Sequence, residues 1–327
     1  TVRGSAAARS DGVAGATAAD LFRPVFDATD GLDGWVSLEV SPLLSCNAAK
    51  TIHAAASLHE AADRPNLFIK IPGTMAGAEA IEASIFGGVP INVTLLFSRE
   101  QYLAAAEAYL RGIERRMEAG LDPNVRSVAS LFVSRWDVAA NQQVSPPFHN
   151  RLGIAIAKRT YKAYRDLLAS ALWQRLAQAG ARPQRLLWAS TGTKDPAASD
   201  TLYVEALAAP DTINTIPEKT FQAFADHGKV GATLVARRRV PACQRVLHRR
   251  ARSCSAVAAC RLWYLRPSRL VVRVLVQRMA RTGDHAGHLR IPPQSAHHWA
   301  AVPGCRHPRL VPAGLCERAR SAGRQWR

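Results

Sequence analysis

The chain has 327 residues, 48% of them hydrophobic, with 43 Lys+Arg against 25 Asp+Glu and a formal net charge of +18. No run approaches the 18 uninterrupted apolar residues of a membrane helix; even Leu270 to Val276 is broken by Arg273, so no membrane span is predicted. Of six cysteines only Cys46 precedes residue 235, which excludes a disulfide scaffold for the patterned part of the chain and predicts a reducing, cytoplasmic compartment.

Residues 1–20 are rich in alanine and glycine, with no apolar period and no apolar core of a signal peptide. This segment is expected to be disordered or otherwise without an assigned element. The first strand pattern is Val36–Val40, which carries Glu39, and an alanine-rich helical pattern follows over residues 47–64. The next strand is 66–72, where Lys70 stands among Leu67, Phe68, Ile69 and Ile71. A free lysine has a pKa of about 10.4, so roughly one molecule in 2500 is a neutral amine at pH 7. Burial lowers that value, and at about 7–8 a useful fraction becomes a nucleophile for carbonyls. Taken alone, Lys70 reads rather as a strand-end lysine that reaches solvent or pairs with an acid; the neighbouring strands change that reading.

A helix is predicted over 74–86, then a strand over 90–96 with Asn92 and Thr94 inside it. Ser98 and Gln101 form a capping box, and Tyr102, Ala106, Tyr109, Ile113 and Met117 follow on one face until Gly120 stops the helix. The strand 127–133 carries Ser130, with Arg135 just beyond it, and a helical region runs over about 152–179. The strand 186–190 ends on Ser190 and opens the loop Ser190-Thr191-Gly192-Thr193-Lys194. A weaker strand is predicted over 212–216.

Strands that are apolar on both faces and alternate with helices form a parallel sheet covered by helices. Six such units in about 230 residues favour a (β/α) barrel, whose chemistry sits at the C-terminal strand ends. Glu39, Lys70, Asn92, Thr94, Ser130, Arg135 and Ser190 are isolated polar residues at or near those ends. Each costs desolvation unless partnered, so the set reads as a site rather than as packing. The 190–194 loop offers backbone N–H groups and a cation to an anion, as an ordinary polar turn with a surface lysine also would. It lacks the leading glycine and spacing of a Walker loop.

The segments 66–74 (NLFIKIPGT), 91–98 (INVTLLFS), 127–135 (SVASLFVSR), 187–196 (LWASTGTKDP), 199–205 (SDTLYVE) and 212–217 (TINTIP) resemble the transaldolase family in order, over roughly residues 20–234. The resemblance implies a (β/α)8 barrel that moves a dihydroxyacetone unit between phosphorylated sugars in the pentose phosphate pathway. It works through a lysine Schiff base and implies no metal or organic cofactor. Class I aldolases are similar in mechanism. By motif position, Lys70 is implied as the Schiff-base lysine, and Glu39 with Thr94 as the pair that handles the catalytic water. Asn92 is implied to bond substrate hydroxyls, Ser130 to line the site, and Arg135 and Ser190 to bind phosphate. For Lys194 a phosphate role is inferred from residue type.

The family begins with a strand bearing an acid/base aspartate and a strand with a Thr-Asn-Pro motif. Nothing in residues 1–20 resembles either, so about six of eight strands are expected, with low activity in this chain. Residues 235–327 hold 20 Arg, no Lys and two acids, Asp284 and Glu317, whereas the first 234 residues balance 23 basic against 23 acidic groups. Cys243, Cys254, Cys260, Cys305 and Cys316 lack the close pairs of a metal module. An arginine-rich tail could bind nucleic acid, and a non-enzymatic RNA-binding protein is the competing reading. Composition of this kind is what GC-rich DNA read out of frame yields, so a basic out-of-frame tail over 235–327 is expected, with nucleic acid not a partner.

Overall fold

Asn47, Thr74 and Ser98 each start a helix for one physical reason. Their side-chain oxygens accept from the backbone N–H three residues on, which otherwise lacks a partner in the first turn. The resulting elements come from a computed structural model that describes residues 2–231, 233 and 234. In chain order they are α1 (Val2–Ala28), β1 (Val36–Glu39), α2 (Ala48–Ala62), β2 (Leu67–Pro72), α3 (Met75–Phe86), β3 (Ile91–Leu96), α4 (Arg99–Glu118) and β4 (Ser127–Phe132). Then follow α5 (Ser134–Ala140), α6 (Leu152–Leu168), α7 (Ala171–Gln178), β5 (Arg185–Ala189), α8 (Leu202–Ala206), β6 (Thr212–Asn214) and α9 (Glu218–His227). The expectations placed on residues 235–327 lie outside the described residues.

The strands form one parallel sheet in the order β1-β2-β3-β4-β5-β6, with β1 and β6 at its edges among the described residues. This is an α/β fold of the TIM-barrel type, with six consecutive strand–helix units of the (β/α)8 plan. Two apolar layers hold it. Leu67, Ile69, Ile71, Ile91, Val93, Leu186 and Trp188 pack outward against the helices. Trp35, Phe68, Val128, Phe132, Leu187 and Ile213 pack on the inner side. The alternation of the two sets along each strand is the period of two that a pleated strand imposes.

Two expectations need correction. Residues 1–20 are not without structure, because α1 runs from Val2 to Ala28. Ala18 and Ala19 are buried in it, and the Ala19 carbonyl accepts from Asn66 Nδ2 at 2.8 Å. Alanine has the highest helix propensity but gives little apolar contrast, so a helix that packs on alanine shows no hydrophobic period. The helical region 152–179 is two helices, since Ser170 is extended and caps α7 through Trp173 N. Among the described residues no helix is long and apolar enough to cross a membrane.

Candidate active site

Sheet register brings the first three polar residues together. Glu39 pairs with Lys70, and Lys70 with Asn92, so three neighbouring strands present one row of polar side chains. Lys70 Nζ lies 3.1 Å from Glu39 Oε2, and both side chains are partly buried. Asn92, only 1% exposed, donates from Nδ2 to Ser37 Oγ at 3.0 Å and accepts at Oδ1 from Ser130 Oγ at 2.7 Å. That chain of bonds holds the Asn92 amide in one orientation.

Thr94 is placed by a bulge. Val93 pairs with Ala129 and Leu96 with Leu131, so Thr94 and Leu95 together oppose Ser130. Leu95 has φ +58, a left-handed conformation that costs about 1–2 kcal/mol for a residue with a Cβ. Thr94 Oγ1 is fully buried without a hydrogen-bond partner among the described residues.

Ser190, the residue after β5, has a similar conformation, φ +56. Its carbonyl accepts from Ser134 N at 3.1 Å, and the two hydroxyls lie 2.9 Å apart. Ser134 opens α5, which carries Arg135 at its second position. The helix is fixed from two sides. Trp136 Nε1 donates to Phe97 O at 2.6 Å. Asp137 Oδ1 accepts from Leu152 N and Gly153 N at 2.9 and 3.1 Å, and Oδ2 accepts from Tyr203 OH at 2.7 Å. A Cβ on Gly153 would stand 2.5 Å from Val133 O, so only glycine lets α6 start this close to α5. Burial raises the Asp137 carboxyl above its usual value, against the pull of these three donors. Tyr203 is raised as well, by burial first and then by the Asp137 charge.

Of the residues singled out in the sequence, Glu39, Lys70, Asn92 and Ser130 thus meet partners in or beside one row. Ser190 stands on the neighbouring strand end with Ser134. Arg135 and Lys194 are exposed and pair with no acid among the described residues. Lys194 bends back over Gly192, its Nζ 3.6 Å from where a Cβ there would be. Ser37, Ser134, Asp137 and Tyr203 escaped sequence reasoning. Ser37 had a signal, because it lies two residues before Glu39 and therefore on the same face.

The model of the transaldolase/fructose-6-phosphate aldolase family matches residues 11–259. The chain belongs to that family. It is 49% identical over 221 residues to a transaldolase of Thermobifida fusca (strain YX), covering 65% of this chain and 60% of that one. It is 47% identical over 227 residues to transaldolase 2 of Streptomyces avermitilis, covering 67% and 61%. A transaldolase of Mycolicibacterium smegmatis is 46% identical over 227 residues, covering 67% and 61%. The chain therefore spans about 60% of the length of these curated relatives. The family match passes the composition break at residue 234 and ends at residue 259.

Proposed function

We propose that this site performs transaldolase chemistry: transfer of a dihydroxyacetone unit from a ketose phosphate to an aldose phosphate through a Schiff base on Lys70. The observation that carries this reading is the Lys70–Glu39 pair, 3.1 Å apart, in one sheet row with Asn92. Imine formation needs the lysine amine as nucleophile and a group to move protons as water is lost. Glu39 takes the Lys70 proton; the amine adds to the ketone carbon; the carbinolamine then loses water to give the iminium. Glu39 and Thr94 handle that water, a role that suits a buried hydroxyl without a protein partner.

The iminium accepts the electron pair as the neighbouring carbon–carbon bond breaks. An aldose phosphate leaves, and the enamine adds to the aldehyde of the acceptor. Hydrolysis of the new iminium returns the Lys70 amine. Asn92 and Ser130 hold substrate hydroxyls in this scheme, because their own mutual bond fixes the direction of each donor. Ser190, Arg135 and Lys194 receive the phosphate: two cations that pair with no acid among the described residues, and an oriented hydroxyl, suit its oxygens. No residue of this chain is assigned to the hydroxyl proton released on bond cleavage.

Sugar phosphates are thus the proposed substrates, the non-oxidative pentose phosphate pathway the proposed setting, and the cytoplasm the proposed compartment. The family description also names fructose-6-phosphate aldolase; in that reading of this site the Lys70 enamine is protonated and its iminium hydrolysed, so that dihydroxyacetone is released free. The test is borohydride trapping with dihydroxyacetone, followed by mass spectrometry of a digest. A three-carbon adduct on Lys70 alone is expected; an adduct on Lys50 or Lys194 instead would sink the assignment. Product analysis with and without an aldose phosphate acceptor separates transferase from aldolase.

A further inference from the structure

Two cavities among the described residues lie at the opposite end of the strands from Lys70. The smaller, about 130 Å³, is lined by Arg126, which precedes β4, Arg185, which opens β5, and Arg182 in the loop before it. Gly31, Trp35 and Ser127 also line it. The larger, about 370 Å³, shares Gly31, Trp35 and Arg126 and adds Asp27 and Asp30. Gly31 has φ +64, and a Cβ on it would press on the Phe26 ring at 3.2 Å, so the wall there is bare backbone.

The three guanidinium groups are short of partners. Arg185 donates to Leu32 O at 2.7 Å and Arg126 to Asp30 O at 3.2 Å. Each group carries five N–H donors, so most have no protein acceptor among the described residues. None of the three forms an ion pair within 4.0 Å there. Acids face them at longer range: Asp33 and Asp211 act on Arg185, and Asp30 acts on Arg126. Asp33 itself is raised, chiefly by burial. Arg126 and Arg185 are half-buried, and burial weakens the hold of both on the proton; Arg182 adds to this at Arg126, whereas Tyr164 and Asp33 oppose it at Arg185.

We propose that the smaller cavity binds a phosphate-type oxyanion, held by Arg126, Arg182 and Arg185 at the N-terminal end of the sheet. The guanidinium fork matches two oxygens of such an ion, and three forks supply both charge and directed donors. Ser127 Oγ is not free to donate, since it bonds Ile91 O at 2.7 Å, so recognition rests on the arginines. The volume is several times the roughly 10–15 Å³ that one water needs by the same measure, which suits a single oxyanion group. The ion comes either free or as the phosphoryl group of a small ester that extends into the larger cavity.

The site is independent of the Lys70 reading and is tested on the 327-residue chain by calorimetric titration with inorganic phosphate and with glycerol phosphate. The chain already carrying Arg135→Ala weakens phosphate binding at the proposed substrate site, and the loss on substituting Arg185 or Arg182 reads this end. Phosphate or its ester is expected to bind that chain, at least tenfold more weakly after Arg185→Met, and several-fold more weakly after Arg182→Gln. Arg182 is exposed, so its variant decides the matter if Arg185→Met does not fold. Tighter binding of one ligand tells the free ion from the ester, and either supports the site. No binding of either ligand, or binding that neither arginine substitution weakens, overturns it.

Discussion

The two ends of the sheet treat polar groups in opposite ways. At the C-terminal end, buried and partly buried polar side chains bond one another: Lys70 with Glu39, Ser130 with Asn92, Asn92 with Ser37, Ser134 with Ser190. At the N-terminal end, Arg126 and Arg185 hydrogen-bond only backbone carbonyls among the described residues, around a cavity. Mutual bonding fixes directions and suits a reaction, which needs a few groups held to a fraction of an ångström. Unclaimed cationic donors fix nothing by themselves and suit an ion that supplies the missing acceptors. One strand thus serves two purposes: β4 has Arg126 at its entrance and Ser130 within it.

The sharpest break between the ends is Lys70→Ala. Borohydride trapping with dihydroxyacetone should fall to zero, while phosphate titration of the arginine cavity stays unchanged; residual adduct at another lysine would undo the distinction. Glu39→Gln comes next. It keeps the shape of the side chain but loses the base, and the rate of trapping should drop about 10²–10⁴-fold, the range for a positioned acid–base group. A rate within twofold of the parent would leave Glu39 a mere ion-pair partner.

Arg135→Ala is smaller. Loss of a charge-assisted contact worth about 1.5–3 kcal/mol should raise the half-saturating fructose 6-phosphate concentration in trapping roughly 10–150-fold. Dihydroxyacetone, which has no phosphate, should be trapped as before; equal effects on both would make Arg135 structural.

Asp137→Asn is the mildest change and reads the scaffold under Arg135. The Asp137 carboxyl is raised in the folded protein, so the folded state holds its proton more tightly than the unfolded one. The stability it contributes is therefore greatest below the unfolded value of about 3.9 and declines as pH rises through the raised folded value. The decline cannot exceed about 1.4 kcal/mol per pH unit for one proton. Urea unfolding from pH 4 upward should show it in the parent and not in the variant; identical slopes would remove Asp137 from this account.

Element type was legible wherever a period or a cap was strong. Ser98 with Gln101, and the Tyr102–Ile113 face, gave α4 to within two residues of its observed span. The short β6 ends at Asn214, two residues before its predicted end, and α1 was missed altogether. In both, side-chain contrast is weak, and neighbours decide: Leu187 pairs with Ile213, and Asn66 holds Ala19. In the site, Lys70 drew notice because an ammonium amid apolar neighbours is costly. Asp137 did not, because an acid on a short amphipathic turn looks ordinary until α6 and α8 close over it.

The sequence by itself determined the strand–helix alternation, the parallel α/β class, and the polar positions Glu39, Lys70, Asn92, Thr94 and Ser130, since periodicity and desolvation act locally along the chain. Only the tertiary structure decided which of these meet. Register set Glu39 against Lys70 and Lys70 against Asn92, and a slip of one residue would have turned each to the other face. The bulge that aims Thr94 belongs to the β3–β4 pairing and to neither strand alone. The arginine cavity likewise exists only because residues 126, 182 and 185 converge where β4 and β5 begin side by side, a relation between strands that no local pattern carries.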